Sequence, residues 1–150
     1  MDSDKVRVFL DELGDLISVV PYLLGFHPAL SLVVLVVNPA DGAVTATIRF
    51  DLPDDAADGP ELAQQLGWIM TGNNVTDVLL IGYGPGSRVT PTMDAVCRVL
   101  RDRRIVIVEA LRVQEGRYWS YLCLDAGCCP PEGTRFDITA SKAAASAVLA

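Results

Sequence analysis

The chain has 150 residues, 51% of them apolar, and a formal net charge of −7 from 19 acids and 12 bases. That length suits one ordinary domain, and the longest uninterrupted apolar run, Leu32 to Val37, falls far short of the roughly 20 residues that cross a bilayer. The acidic balance opposes the phosphate neutralisation that dominates nucleic-acid affinity, so neither a membrane nor a nucleic acid is an expected partner.

Mean hydropathy is +0.34, rich for a chain without a spanning segment, so the excess belongs in a core or an interface. The opening "MDSDKVRVFLDEL" has no basic start, apolar centre or cleavage site, which points to a cytoplasmic address. The basic cluster Arg98 to Arg104 lies at the end of an expected helix, where the exposed carbonyls favour positive charge.

In chain order, Asp11 to Ser18 reads as a short helix, and Pro21 suits the first turn of a second one that Gly25 ends. "GFHPA" is a loop, because Pro28 pushes His27 towards extended geometry. Ser31 to Val37 is apolar on both parities, the pattern of a strand covered on both faces. Val44 to Asp51 alternates, with Val44, Ala46, Ile48 and Phe50 opposite Thr45, Thr47, Arg49 and Asp51. It reads as a half-solvated strand paired antiparallel with its predecessor.

An acidic loop follows, and Pro60 opens a helix with Leu62, Leu66, Ile69 and Met70 in one stripe, stopped by Gly72. Asp77 to Gly82 is a buried strand. A helix begins near Thr90 and Pro91 and shows Met93, Val96, Cys97 and Leu100 on one face. Ile105 to Val113 is a strand that "QEGR" bends into a last one, Tyr118 to Cys123. The alanine-rich Ile138 to Ala150 is helical and meets no stop signal, so residues 1–150 are expected to be the N-terminal part of a longer protein.

The order β-β-α-β-α-β-β predicts a single α/β domain, a sandwich with a mixed five-stranded sheet flanked by helices. Its crossovers make the strands near residues 44, 77 and 105 run the same way.

Three features invite a chemical reading. Cysteines come first. Cys97 lies on the apolar stripe of its helix and reads as compact core filling. Cys123, Cys128 and Cys129 form one cluster, whereas a tetrahedral zinc site draws on two separated pairs. A redox pair is usually Cys-x-x-Cys at a helix start, yet Pro130 and Pro131 follow here. A structural turn with packed thiols is the leading reading, no metal or cofactor is expected, and a metal or redox site is the lesser alternative.

The second feature is "GYGPGSR", where Gly82, Tyr83, Gly84, Gly86, Ser87 and Arg88 follow a buried strand. Ligands in open α/β sheets collect beyond such strand ends, and amides of a glycine loop with an arginine suit a phosphate. The spacing fits neither the Walker loop nor the dinucleotide fingerprint, so a plain loop is the competing reading. The third is His27, a general-base candidate at neutral pH with no partner identifiable in sequence.

The strand before the cysteine turn alternates Trp119, Tyr121 and Cys123 against Tyr118, Ser120 and Leu122. One aromatic pair is therefore left near a surface, as a contact for a partner or as cover for a helix of the same domain.

"DLISVVPYLLGFHPALSLVVL" (Asp15 to Leu35), "VLLIGYG" (Val78 to Gly84) and "ALRVQEGRYWSYLCLDAGCCPPEG" (Ala110 to Gly133) together resemble an actinobacterial family called domain of unknown function 4192. The resemblance implies a cytoplasmic protein, usually longer, with a further helical portion after the cysteine block. It carries no catalytic residues. Its motif singles out His27, Trp119, Ser120, Tyr121, Cys123, Cys128, Cys129, Pro130 and Glu132 without giving them roles.

The leading expectation is a binding or assembly module that uses Trp119 and Tyr121 to dock a protein partner, a second copy or its own C-terminal portion. The alternative is an enzyme or a domain for a phosphorylated metabolite or nucleotide, with its site at Gly82 to Arg88 and His27.

Overall fold

A computed structural model of the chain describes residues 13–122 and 131–136. Strand β1 (Ser31–Val37), six of whose seven residues are buried, is an interior strand of the sheet. It pairs antiparallel on one side with β2 (Val44–Asp51) and on the other with β3 (Asp77–Tyr83). β3 lies parallel to β4 (Val106–Gln114), which turns back into β5 (Arg117–Ser120), and β5 pairs with β6 (Thr134–Arg135). Among the described residues the sheet has six strands in the order β2-β1-β3-β4-β5-β6. It is mixed, and β2, β3 and β4 share one direction, as the crossovers require.

The sixth strand corrects the expected five. β6 is two residues long and polar, too short to show any alternation. The last expected strand also stops at Ser120, with Tyr121 and Leu122 in a bend; Cys123 and the alanine-rich helix of 138–150 lie outside the described residues.

β2 follows its alternation with one break. Val36 faces Ala46 while Val37 faces Val44, so Thr45 is an extra residue in the ladder. One inserted residue reverses which face a side chain meets. Ile48 and Phe50 therefore pack into the core on one side of the sheet, and Val44 into the core on the other.

The first helix is single, not the expected pair: α1 spans Leu13–Leu24 and carries Pro21 inside it. An interior proline costs about 3 kcal/mol. Burying an aliphatic side chain is worth about 1.5–3 kcal/mol, and Leu16, Ile17, Val19 and Val20 are all buried against the sheet. Packing wins, and the helix runs on until the Gly25 amide donates to the Pro21 carbonyl at 2.8 Å.

The opposite face carries α2 (Gly59–Gly72) and α3 (Gly86–Asp102). A short 3-10 turn, Ala56–Asp58, leads into α2, and Asp55 caps it by accepting from the Ala57 amide at 2.9 Å. α3 starts at Gly86 rather than near Thr90, so Pro91 is interior and Gly86, Ser87 and Arg88 form its first turn. The reason is Val89, which is wholly buried beside Met93, Val96 and Leu100 and draws the helix start inward. It packs on Gly82, where a Cβ would overlap the Val89 Cγ1.

Cys97 is a free thiol buried in this α2–α3 core, and burial pushes its pKa up. Two cores thus sandwich the sheet, with α1 over Val33, Leu35, Leu79, Ile81 and Leu111 on the other side.

Candidate functional site

β3 and β4 are parallel neighbours, so their carboxyl ends open side by side. In α/β sheets that is where ligands bind. A cleft of about 420 Å³ lies there. Its walls come from Ile17 and Pro21 of α1, the His27–Leu30 loop, Tyr83 to Pro85 beyond β3, Val113 to Gly116 at the β4–β5 turn, and Phe136. The volume falls in the range of roughly 300–1,000 Å³ typical of small-molecule sites.

Local structure fixes these walls. The Gly84 amide donates to the Val113 carbonyl at 3.0 Å, tying the exit of β3 to the end of β4. The Phe136 amide donates to the Gly116 carbonyl at 3.1 Å, so the end of β6 closes over the hairpin turn. Tyr118 and Phe136 pack with ring centroids 6.3 Å apart, behind the cleft.

Tyr83 is the unusual group. It is 8% exposed, and its hydroxyl is buried with no hydrogen-bond partner among the described residues. A buried hydroxyl without a partner costs about 1–3 kcal/mol. Burial also drives its pKa far above the ordinary phenol range. The group therefore stays neutral, able to donate one hydrogen bond and to accept others.

His27, Tyr83 and Gly84, far apart in sequence, meet in this cleft. The remaining candidates of the glycine segment do not. Gly82 is sealed beneath Val89. Arg88 turns away: its guanidinium donates to the Pro53 carbonyl at 3.2 Å and lies 3.6 Å from the Asp54 carboxylate. Gly86 and Ser87 belong to the first turn of α3 and take no part in the cleft wall. Leu30, Val113, Gln114 and Phe136 were not singled out by sequence, since isolated loop and strand-end residues carry no motif.

The aromatic strand has partners inside the domain. Trp119 donates its indole N–H to the Pro131 carbonyl at 2.9 Å, and the Arg112 guanidinium lies 3.8 Å from its ring centroid. Tyr121 and Thr90 share a 2.7 Å hydrogen bond between their hydroxyls, and Tyr121 packs against the α2–α3 core. Ser120 donates to the Glu109 carboxylate at 2.7 Å. Glu132 is exposed, and its carbonyl accepts from Arg117 at 3.3 Å. Cys123, Cys128, Cys129 and Pro130 lie outside the described residues.

Among the described residues no three His, Cys, Asp or Glu side chains are placed to hold a metal ion, and no helix is long and apolar enough to cross a membrane. Neither a curated protein nor a solved structure matches the chain. The sequence pattern of one family matches residues 14–150, and the chain belongs to that family, described as a domain of unknown function (DUF4192).

Proposed function

We propose that this domain acts in the cytoplasm and binds a small molecule in the cleft between the ends of β3 and β4. One observation carries the reading: a cleft of ligand size, with largely apolar walls, opens at the carboxyl ends of two parallel strands and gathers His27, Gln114 and Glu115 on its rim. Apolar walls with a few convergent polar groups are the usual composition of ligand sites. Binding, rather than turnover, is what the groups support. His27 stands exposed in the cleft wall, and the phenol of Tyr83 is held neutral.

Docking of a protein partner or a second copy on Trp119 and Tyr121 has less support. Both rings are half-buried and already contact the domain's own arginine, turn and helix.

A fragment screen by protein-observed NMR tests the proposal. Binders should perturb His27, Gly84, Gln114 and Phe136 together. A screen whose hits all leave those four signals in place would remove the basis for the reading.

A further inference from the structure

Strand β2 is an outer edge of the sheet, and among the described residues nothing pairs with its open side. The Leu52 amide donates to the Leu30 carbonyl at 2.9 Å, so the backbone groups of Leu52 point towards β1. Backbone direction alternates along a strand. Phe50 and Ile48 therefore bond inwards, and Thr47, Arg49 and Asp51 turn their N–H and C=O groups outwards. A row of unpaired backbone groups is a template for a further strand.

We infer that this further strand is β2 of a second copy of the chain, paired antiparallel about a two-fold axis through Phe50. In that register Arg49 of each copy stands opposite Asp51 of the other, and each of these two rungs exchanges a pair of backbone hydrogen bonds. The two Phe50 side chains meet between the rungs, at a non-hydrogen-bonded position where cross-strand side chains come closest. One continuous sheet then runs through the dimer.

Charge selects this occupant and this register. A row of lysines blunts an edge because like charge meets like. β2 carries the reverse, an arginine and an aspartate two residues apart on one face, which is its own complement when the strand is turned end for end. Arg49 is held in place by donating to the Asp51 carboxylate at 2.6 Å and to the Ser31 hydroxyl at 2.7 Å. The Asp51 side chain is 83% exposed, which leaves its oxygens open to a second arginine. A register centred on Arg49 sets two arginines face to face, and like charges directly opposite destabilise a pair of strands.

Apolar surface is exposed beside the same edge. The Arg49 guanidinium lies 5.5 Å from the centroid of the Phe26 ring, and Leu30 is tied to Leu52. Phe26 and Leu30 are both exposed, and with Tyr22 and Leu23 they make up most of the large apolar side chains exposed among the described residues. Apolar groups gathered in this way mark contact surfaces.

Sedimentation equilibrium of the full chain with exchanged charges tests the pairing. Arg49→Asp leaves two acids on the edge and Asp51→Arg two bases, so each variant repels its own copy. An equimolar mixture of the two restores an arginine opposite an aspartate at both rungs. The pair is solvent-facing and adds little to the stability of a single copy, and far-UV circular dichroism verifies the fold of each variant.

The parent is expected to dimerise, each variant alone to associate at least about tenfold more weakly, and the mixture to recover the parent's affinity within about threefold. In the parent, amide exchange at Arg49 and Asp51 should slow as concentration rises, because those N–H groups become ladder bonds. A parent that remains monomeric at about 1 mM overturns the inference. Variants that dimerise as the parent does, or a mixture no tighter than either variant alone, overturn it as well. A parent dimer in which the Arg49 and Asp51 amides exchange as fast as in the monomer overturns it without any variant.

Discussion

The Arg112 guanidinium lies 3.8 Å from the centroid of the Trp119 ring and donates on its other side to the Gly84 carbonyl and the Gln114 amide oxygen. One side chain therefore couples β5, the exit of β3 and the β4–β5 turn, which together frame the cleft. A planar guanidinium lies flat on a ring while its in-plane N–H groups donate, a geometry that a compact, strongly hydrated ammonium reproduces less well. Arg112→Lys should lower stability by about 1–2 kcal/mol, measured by urea unfolding, and should broaden the NMR signals of Gly84 and Gln114. An unaltered unfolding midpoint with sharp signals would show that the stack holds nothing in place.

Gly133 stands against the other face of this arrangement. Its φ is +83°, and a Cβ there would lie 2.7 Å from the Trp119 ring. Gly133→Ala adds backbone strain of about 1 kcal/mol and pushes the indole off the Pro131 carbonyl. The chain has two tryptophans, and Trp68 is 74% exposed, so in a Trp68→Phe background the emission reports Trp119 alone. That emission should shift to the red in Gly133→Ala. A spectrum that stays put would mean the 131–136 segment does not clasp the ring.

Much of the sheet was legible because burial acts directly on residue parity. Ser31–Val37 and Val44–Asp51 form with the expected bounds, and the direction of β2, β3 and β4 follows from the helices between them. Pro60 opens α2 as expected, whereas the prolines of α1 and α3 misled. Pro21 and Pro91 read locally as helix starts, but the buried stripes around Ile17 and Val89 outweigh one missing backbone bond each. The cleft was legible only in fragments. His27 and Tyr83 were visible as chemistry-bearing residues, whereas their meeting depends on sheet order, since β1 must lie beside β3 to bring the 27–30 loop to the end of β3. Arg88 turns from the cleft for the same reason that the helix starts early: once Val89 is buried, the residue before it faces Pro53.

The contact of Gly82 with Val89 sets how closely α3 lies on β3. A methyl group at Gly82 overlaps the Val89 Cγ1, and overpacking of this kind costs about 1–3 kcal/mol. Gly82→Ala should be destabilising by that amount, and Val89→Ala alone should also destabilise by leaving a cavity. The double variant should be more stable than the sum of the two predicts, because the added methyl fills the space the valine vacates. Strict additivity in urea unfolding would place the two side chains out of contact.

Alkaline pH offers a test of the buried phenol. Burial raises the folded-state pKa of Tyr83 well above the ordinary value, about 10 in an unfolded chain. Above pH 10 the unfolded chain gives up this proton while the folded one retains it, so stability is intact below that pH and is lost as pH rises through it. Tyr121, also raised chiefly by burial, contributes with the same sign, and Cys97 adds an earlier loss that begins near its unfolded thiol pKa of about 8.5. Unfolding free energy should be flat from pH 7 to 8 and fall steadily towards pH 11. In Tyr83→Phe the fall above pH 10 should become shallower, and at pH 7 the variant should be as stable as the parent or up to about 1 kcal/mol more so, because it no longer buries an unpaired oxygen. Cys97→Ala should delay only the first part of the decline. If Tyr83→Phe retains the parent's full alkaline slope and loses stability at pH 7, the hydroxyl has a hydrogen-bond partner in solution.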